Sequence, residues 1–183
     1  MDVKGTAVIP VAQFVQDKFP DRKDEWISSL SETSANIMKS ALTGGWYPLQ
    51  EGLIEPTQKI CDLFYAGKEE GAFELGRYSA EQGLKGVYKL FVKLGSPSFI
   101  ISRGSQILPT YYKGSALQIV EETKNSVVLH ITCFPGINRI TELRIAGWME
   151  RALSMSGGKN IKIDITRSLA KGDAVTEYKV HWD

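Results

Sequence analysis

The chain has 183 residues but only two histidines, His130 and His181, and two cysteines, Cys61 and Cys133. Metal centres are built from clusters of such side chains at fixed spacing, and no second histidine stands at ligand spacing from either one. Charge of one sign is also missing: 22 Lys and Arg against 21 Asp and Glu leave a net +1, so nothing in bulk electrostatics points to nucleic acid. No apolar run approaches the roughly 18 residues of a membrane span. The first residues lack the form of a signal peptide, since Asp2 and Lys4 come early and Pro10 and Gln13 interrupt the stretch from Ala7 to Val15. There is no G-x-S-x-G elbow, and Gly157-Gly158-Lys159 lacks the upstream glycine and the Ser/Thr of a phosphate loop. Glu121 and Glu122 are neighbours on a strand pattern and point to opposite faces, and Glu69-Glu70 reads as a helix start. The expectation is therefore a binding protein rather than an enzyme, with no catalytic residues, no metal and no cofactor. Both cysteines sit in apolar runs and read as small buried hydrophobes of a reduced, cytoplasmic protein.

What is present is ordinary for a globular protein: 43% hydrophobic and 23% charged residues, with no repeat or linker, which suits one domain over 1–183. The first two-thirds carries helical periodicity. Val11, Phe14, Val15 and Phe19 recur in a helix that Pro20 stops; Trp26, Ile27 and Leu30 mark a second, over 23–30. Ser34 is the expected cap of a third, which ends at Gly44-Gly45; Trp46-Tyr47-Pro48 reads as a turn; a fourth runs from about 49 to 65 with Pro56 as kink or restart. The fifth, over 73–94, contains Gly76, Gly83 and Gly86, each costing about 1 kcal/mol against alanine in a helix interior. These glycines suggest close packing of another helix, or of a ligand, against the backbone. A helix over 99–112 with Pro109 as a kink follows.

The last third alternates with period two. Strands are expected over 116–122, 126–134, 160–166 and 174–182, with a helix over 140–154 between the pairs. His130 shares a face with Val128, Thr132 and Phe134, and His181 lies on a polar face. The predicted fold is α+β: an N-terminal helical layer packed on a four-stranded, mostly antiparallel sheet with a β-β-α-β-β C-terminal half.

Several short stretches, in this order, resemble one superfamily: Lys4-Gly5-Thr6-Ala7, Gly45-Trp46-Tyr47-Pro48, Glu74-Leu75-Gly76-Arg77-Tyr78-Ser79, Leu94-Gly95-Ser96-Pro97, Tyr111-Tyr112-Lys113-Gly114, Ala146-Gly147-Trp148-Met149-Glu150 and Lys171-Gly172-Asp173. The chain is similar to a family of paralogues from myxobacteria within the superfamily of haem-NO-binding domains, 4-vinyl reductase domains and transport-protein-particle subunits. That resemblance implies a sensory domain whose sheet and helices enclose an apolar space for a small molecule, lipid or acyl chain, and it implies a homodimer. The departures are specific. Haem-binding members carry a helical histidine and a Tyr-x-Ser-x-Arg motif, and this sequence has neither. Where 4-vinyl reductase domains place zinc-binding cysteines around a Gly-Asp turn, this sequence has Ser168 and Thr176. The expected pocket residues are Trp46, Tyr47, Tyr88, Phe91, Phe134 and Trp148; the ordinary alternative is that they simply fill the core. The competing function is a protein-interaction or dimerisation module without a small ligand. The chain length suggests a stand-alone receiver whose signal passes through a partner.

Overall fold

The computed structural model describes residues 1–84 and 97–183. Four strands form an antiparallel sheet in the order β3-β4-β6-β5: β3 Ala116–Glu122, β4 Ser126–Cys133, β5 Lys162–Arg167 and β6 Thr176–His181. The period-two pattern sets its two faces. Leu117, Val127, Leu129, Ile131, Tyr178 and Val180 are buried on the inner side, while Gln118, Asp164, Thr166 and Lys179 are exposed. Helix α8, Arg139–Met155, links β4 to β5, and Asn138 caps its start by accepting from Thr141 N at 3.0 Å.

The helical layer consists of α1 Gly5–Lys18, α2 Lys23–Ser28, α3 Glu32–Ser40, α4 Glu55–Phe64, α5 Glu70–Gly83, α6 Pro97–Ser102 and α7 Gly104–Tyr111. One hydrophobic cluster runs from Val3 and Phe14 through Leu75 and Tyr112 to the inner face of the sheet. Trp26 is fully buried, and its indole N–H is satisfied by donating to Pro56 O at 3.1 Å.

Two close contacts join the layers. A Cβ on Gly76 of α5 would collide with the Arg144 carbonyl oxygen of α8, and one on Gly147 of α8 would collide with that of Phe73. The two glycines let the backbones meet where any side chain would hold them apart. Among the described residues, a Cβ on Gly83 would meet nothing closer than Tyr111 Oη at 3.8 Å, so it lies off this crossing. Gly86, and the second half of the helix expected over 73–94, fall outside the described residues.

Several expectations are corrected. Trp46–Pro48 is not a turn but a strand, β2, paired antiparallel with β1, Asp2–Lys4. Ser31, not Ser34, caps α3: its hydroxyl accepts from Ser34 N at 3.3 Å, and both hydroxyls donate to Glu55. That helix stops at Ser40, short of the glycines. Pro56 does restart a helix, opening α4 after a π-turn over Gln50–Ile54. Cys133 is exposed rather than buried. A register shift between Ala116 and Leu117 reverses the facing order at the end of β4, so Cys133 turns out and Phe134 turns in.

Gly76→Ala and Gly147→Ala should each lower the urea unfolding midpoint, with overpacking at the crossing costing about 1–3 kcal/mol. Gly83→Ala should be neutral or stabilising by up to about 1 kcal/mol. Equal effects from all three variants would show that the crossing is not the constraint.

Candidate functional site

The four described pocket candidates keep separate company. Trp46 is 40% exposed on β2, with Lys4 Nζ 4.6 Å from its ring centroid. Tyr47 is partly buried, and its hydroxyl accepts from Leu42 N at 2.7 Å. Phe134 is buried against Tyr112, with ring centroids 5.0 Å apart. Trp148 is partly buried on α8, 6.3 Å from the Tyr111 ring. Tyr88 and Phe91 lie outside the described residues. Two surface grooves open elsewhere. One, of about 530 Å³, lies between β5 and the helices α5 and α8; the other, of about 460 Å³, lies between α2 and α3. Neither is lined by any of these four aromatics.

The densest polar chemistry is inside, on α8. Glu142 is fully buried. Its carboxylate accepts from Ser168 Oγ at 2.8 and 2.9 Å, from Thr176 Oγ1 at 2.6 Å and from Ala170 N at 3.3 Å, while Arg139 Nη1 stands 3.5 Å away. The hydroxyls of Ser168 and Thr176, which flank the Gly172-Asp173 turn, thus converge on one carboxylate. Asp173 accepts from Ser168 N at 2.7 Å and closes the turn, in which Gly172 has a φ of 94°. Among the described residues no group of three or more metal-ligating side chains occurs. The cluster pins the β5–β6 connection to α8, and sequence reasoning missed its acid. Glu142 does lie in line with Ile145, Ala146, Met149 and Leu153 of its helix, but a scan for apolar periodicity passes over a charged residue in such a stripe.

Arg144 points the other way. It is 3% exposed and donates to Ala7 O at 2.6 Å, Ser79 Oγ at 3.0 Å and Tyr112 Oη at 3.3 Å. Among the described residues its Nε has no partner and no carboxylate pairs with it. Burial pulls its pKa down, against the Tyr112 hydroxyl, which supports the charge. The result is an internal cation held by a carbonyl and two hydroxyls.

Both histidines lie away from this interior. His130 Nε2 is 2.7 Å from Glu177 Oε2 on the outer face of the sheet, and Thr166 Oγ1 donates to Glu177 Oε1 at 2.6 Å. His181 is exposed on β6. The Thr166 hydroxyl, and then His130, hold the Glu177 carboxyl below the usual carboxylate range. Burial pushes the Cys61 thiol up to about 11, which suits a core residue and not a nucleophile.

Glu142→Ala should destabilise the fold by about 3 kcal/mol or more, because it strands buried donors, and Glu142→Gln should cost less. Urea midpoints would measure both; an unchanged midpoint for the alanine variant would remove the anchoring role. Glu177 gives a pH signature. A carboxyl with a lowered native pKa contributes stability above its unfolded pKa and loses it as pH falls through the native value. Between neutral pH and about pH 3, Glu177→Gln should therefore lose less stability than the parent chain. Equal losses would show that the His130–Glu177–Thr166 cluster is energetically silent.

No protein family matches this sequence, and no curated protein is significantly similar to it. Solved structures do match. A triple mutant of an H-NOX protein from S. oneidensis in the Fe(II) ligation state superimposes with a TM-score of 0.75 at 11% identity, covering 98% of this chain and 96% of its own. A mutant of the Fe(II) unliganded H-NOX protein from K. algicida gives 0.74 at 13% identity, over 98% and 96% of the two chains. The S. oneidensis H-NOX protein in the Fe(II)NO state gives 0.73 at 13%, over 98% and 99%. At such identities the likeness is one of architecture: helices packed on an antiparallel four-stranded sheet, in the manner of the H-NOX fold.

Proposed function

We propose that this protein is a non-catalytic sensory domain of the H-NOX fold that works without haem and holds a small apolar molecule or acyl chain. The placement of its two histidines carries the reading. A haem iron needs an axial side chain facing the porphyrin. His130 is engaged with Glu177 on the outer sheet face, and His181 is exposed on the last strand. The cysteines and the fully buried Tyr178 fit no better. Cys61 is held as a neutral thiol, Cys133 is exposed, the Tyr178 hydroxyl donates to Glu142 O at 3.0 Å, and residues 85–96 contain neither His nor Cys.

Apolar character supports the choice of ligand. Trp148, Ile100 and Met155 are partly buried against Ala80, Leu84 and Ala152. Leu84 and Ile100 stand on either side, in sequence, of the segment that carries Tyr88 and Phe91. An apolar pocket formed beside this cluster would hold its guest by shape and apolar contact, with few polar groups. A second reading, a protein-interaction module working as a homodimer, is favoured by the exposure of Leu42 and Trp46, at 71% and 40%.

Absorbance and native mass spectrometry of protein expressed with ample haem precursor test both readings. The expected spectrum has no Soret band, and the expected mass is the chain plus a lipid or aromatic that is lost on delipidation. A Soret band that shifts with carbon monoxide would overturn the haem-free reading. A bare chain mass in a dimer would replace the ligand reading with the second one.

A further inference from the structure

The interior around α8 holds one charge that the chain leaves unanswered. A buried ion is ordinarily paired or fully hydrogen-bonded, because leaving water without compensation is costly. Glu142 meets that condition, with two hydroxyls, a backbone N–H and Arg139 around it. Arg144 does not. It is 3% exposed, and its acceptors on Ala7, Ser79 and Tyr112 are all neutral. Among the described residues its Nε has no partner and no carboxylate pairs with it. The charged residues of 85–96 are lysines alone, so that segment cannot supply the missing anion. An unmet N–H on a buried guanidinium marks the place of an absent group.

What lies beside this cation is apolar. Arg144 and Trp148 stand one turn apart on one face of α8, and Ala152 a further turn along it. On α5, Ser79 accepts from Arg144, and Ala80 and Leu84 follow it. Ala80, Leu84 and Ala152 form one buried cluster, with Trp148, Ile100 and Met155 partly buried against it. Tyr111 links the two parts: its ring is 6.3 Å from that of Trp148, and its phenol helps support the Arg144 charge. From Arg144 to Ala152 the helix rises about 12 Å, the extended length of a medium acyl chain. A cation at one end and apolar side chains along that length fit an amphiphile with an anionic head.

We propose that Arg144 anchors the head group of the ligand: its Nε–H takes the carboxylate of a medium-chain fatty acid, whose chain lies along Trp148 and Ala152. This inference rests on the haem-free ligand-binding reading above and names the chemical class of the ligand.

Titration of the delipidated full chain with decanoate, decanol and acetate tests it, read by melting temperature and by the Arg144 side-chain Nε–H resonance in nitrogen–proton spectra. Decanoate should bind about tenfold or more tighter than decanol, because only its head makes a charge-assisted hydrogen bond. It should also shift the Nε–H resonance, which decanol leaves in place. Acetate, lacking the chain, should bind weakest. Arg144→Gln should bring decanoate down to the affinity of decanol, and Arg144→Lys should restore part of the difference. The resonance is read on the unmodified protein, so it decides the question even if neither variant folds. Equal affinity for decanoate and decanol, an unmoved Nε–H resonance, or a preference for decanoate that survives Arg144→Gln would each overturn the anchor and leave the apolar-ligand reading standing. Acetate binding as tightly as decanoate, or binding of neither amphiphile, would overturn both.

Discussion

The reciprocal glycine contact between α5 and α8 is the constraint on which the rest of the architecture hangs. Gly76 sits under the Arg144 carbonyl and Gly147 under that of Phe73. Because each backbone fills the space a side chain would need, the spacing and the position along both helices are fixed together. Helix α8 also carries the link from β4 to β5, so the same contact sets where the helical layer stands over the sheet. The groove along β5 inherits its width from this, since one wall is Phe73 and its floor is the strand.

The same helix brings two charges inside. Glu142 and Arg144 are two positions apart, which turns them about 200° from each other around the axis. Glu142 faces the β5–β6 connection and Arg144 faces α1 and α5. They do not neutralise one another. Each is solvated separately by hydroxyls and backbone groups, as an internal substitute for water. Such an arrangement demands that Ser168, Thr176, Ser79 and Tyr112 arrive at fixed places, so it specifies one packing more sharply than an apolar core of equal volume.

The sequence was most legible where periodicity runs long. The four sheet strands and the linking helix follow from alternation and from the turn residues at 123–125 and 157–158, whereas the order β3-β4-β6-β5 does not. Short elements were opaque: β1 and β2 have three residues each, too few to show a period, and Gly45-Trp46-Tyr47-Pro48 has the composition of a turn. Polar interiors were opaque for another reason. A pattern scores hydrophobicity, and Glu142 and Arg144 are hidden in a helix that reads as amphipathic with charge to solvent. The hydroxyls at 168 and 176 carry no local mark of their shared acceptor, Glu142, which comes from a distant segment. The outward turn of Cys133 depends on a single register shift, and alternation carries no mark of it.

The ribbon of β1 and β2 has a consequence for how the chain is assembled. Val3 is fully buried, pairs with Tyr47 and bridges to Tyr112, while Lys113 N donates to Asp2 O at 3.0 Å. Val3 thus has one partner 44 positions along the chain and a second 109 positions along it. The strand therefore acts as a clasp that ties two distant segments to one another, and loosening it would release both.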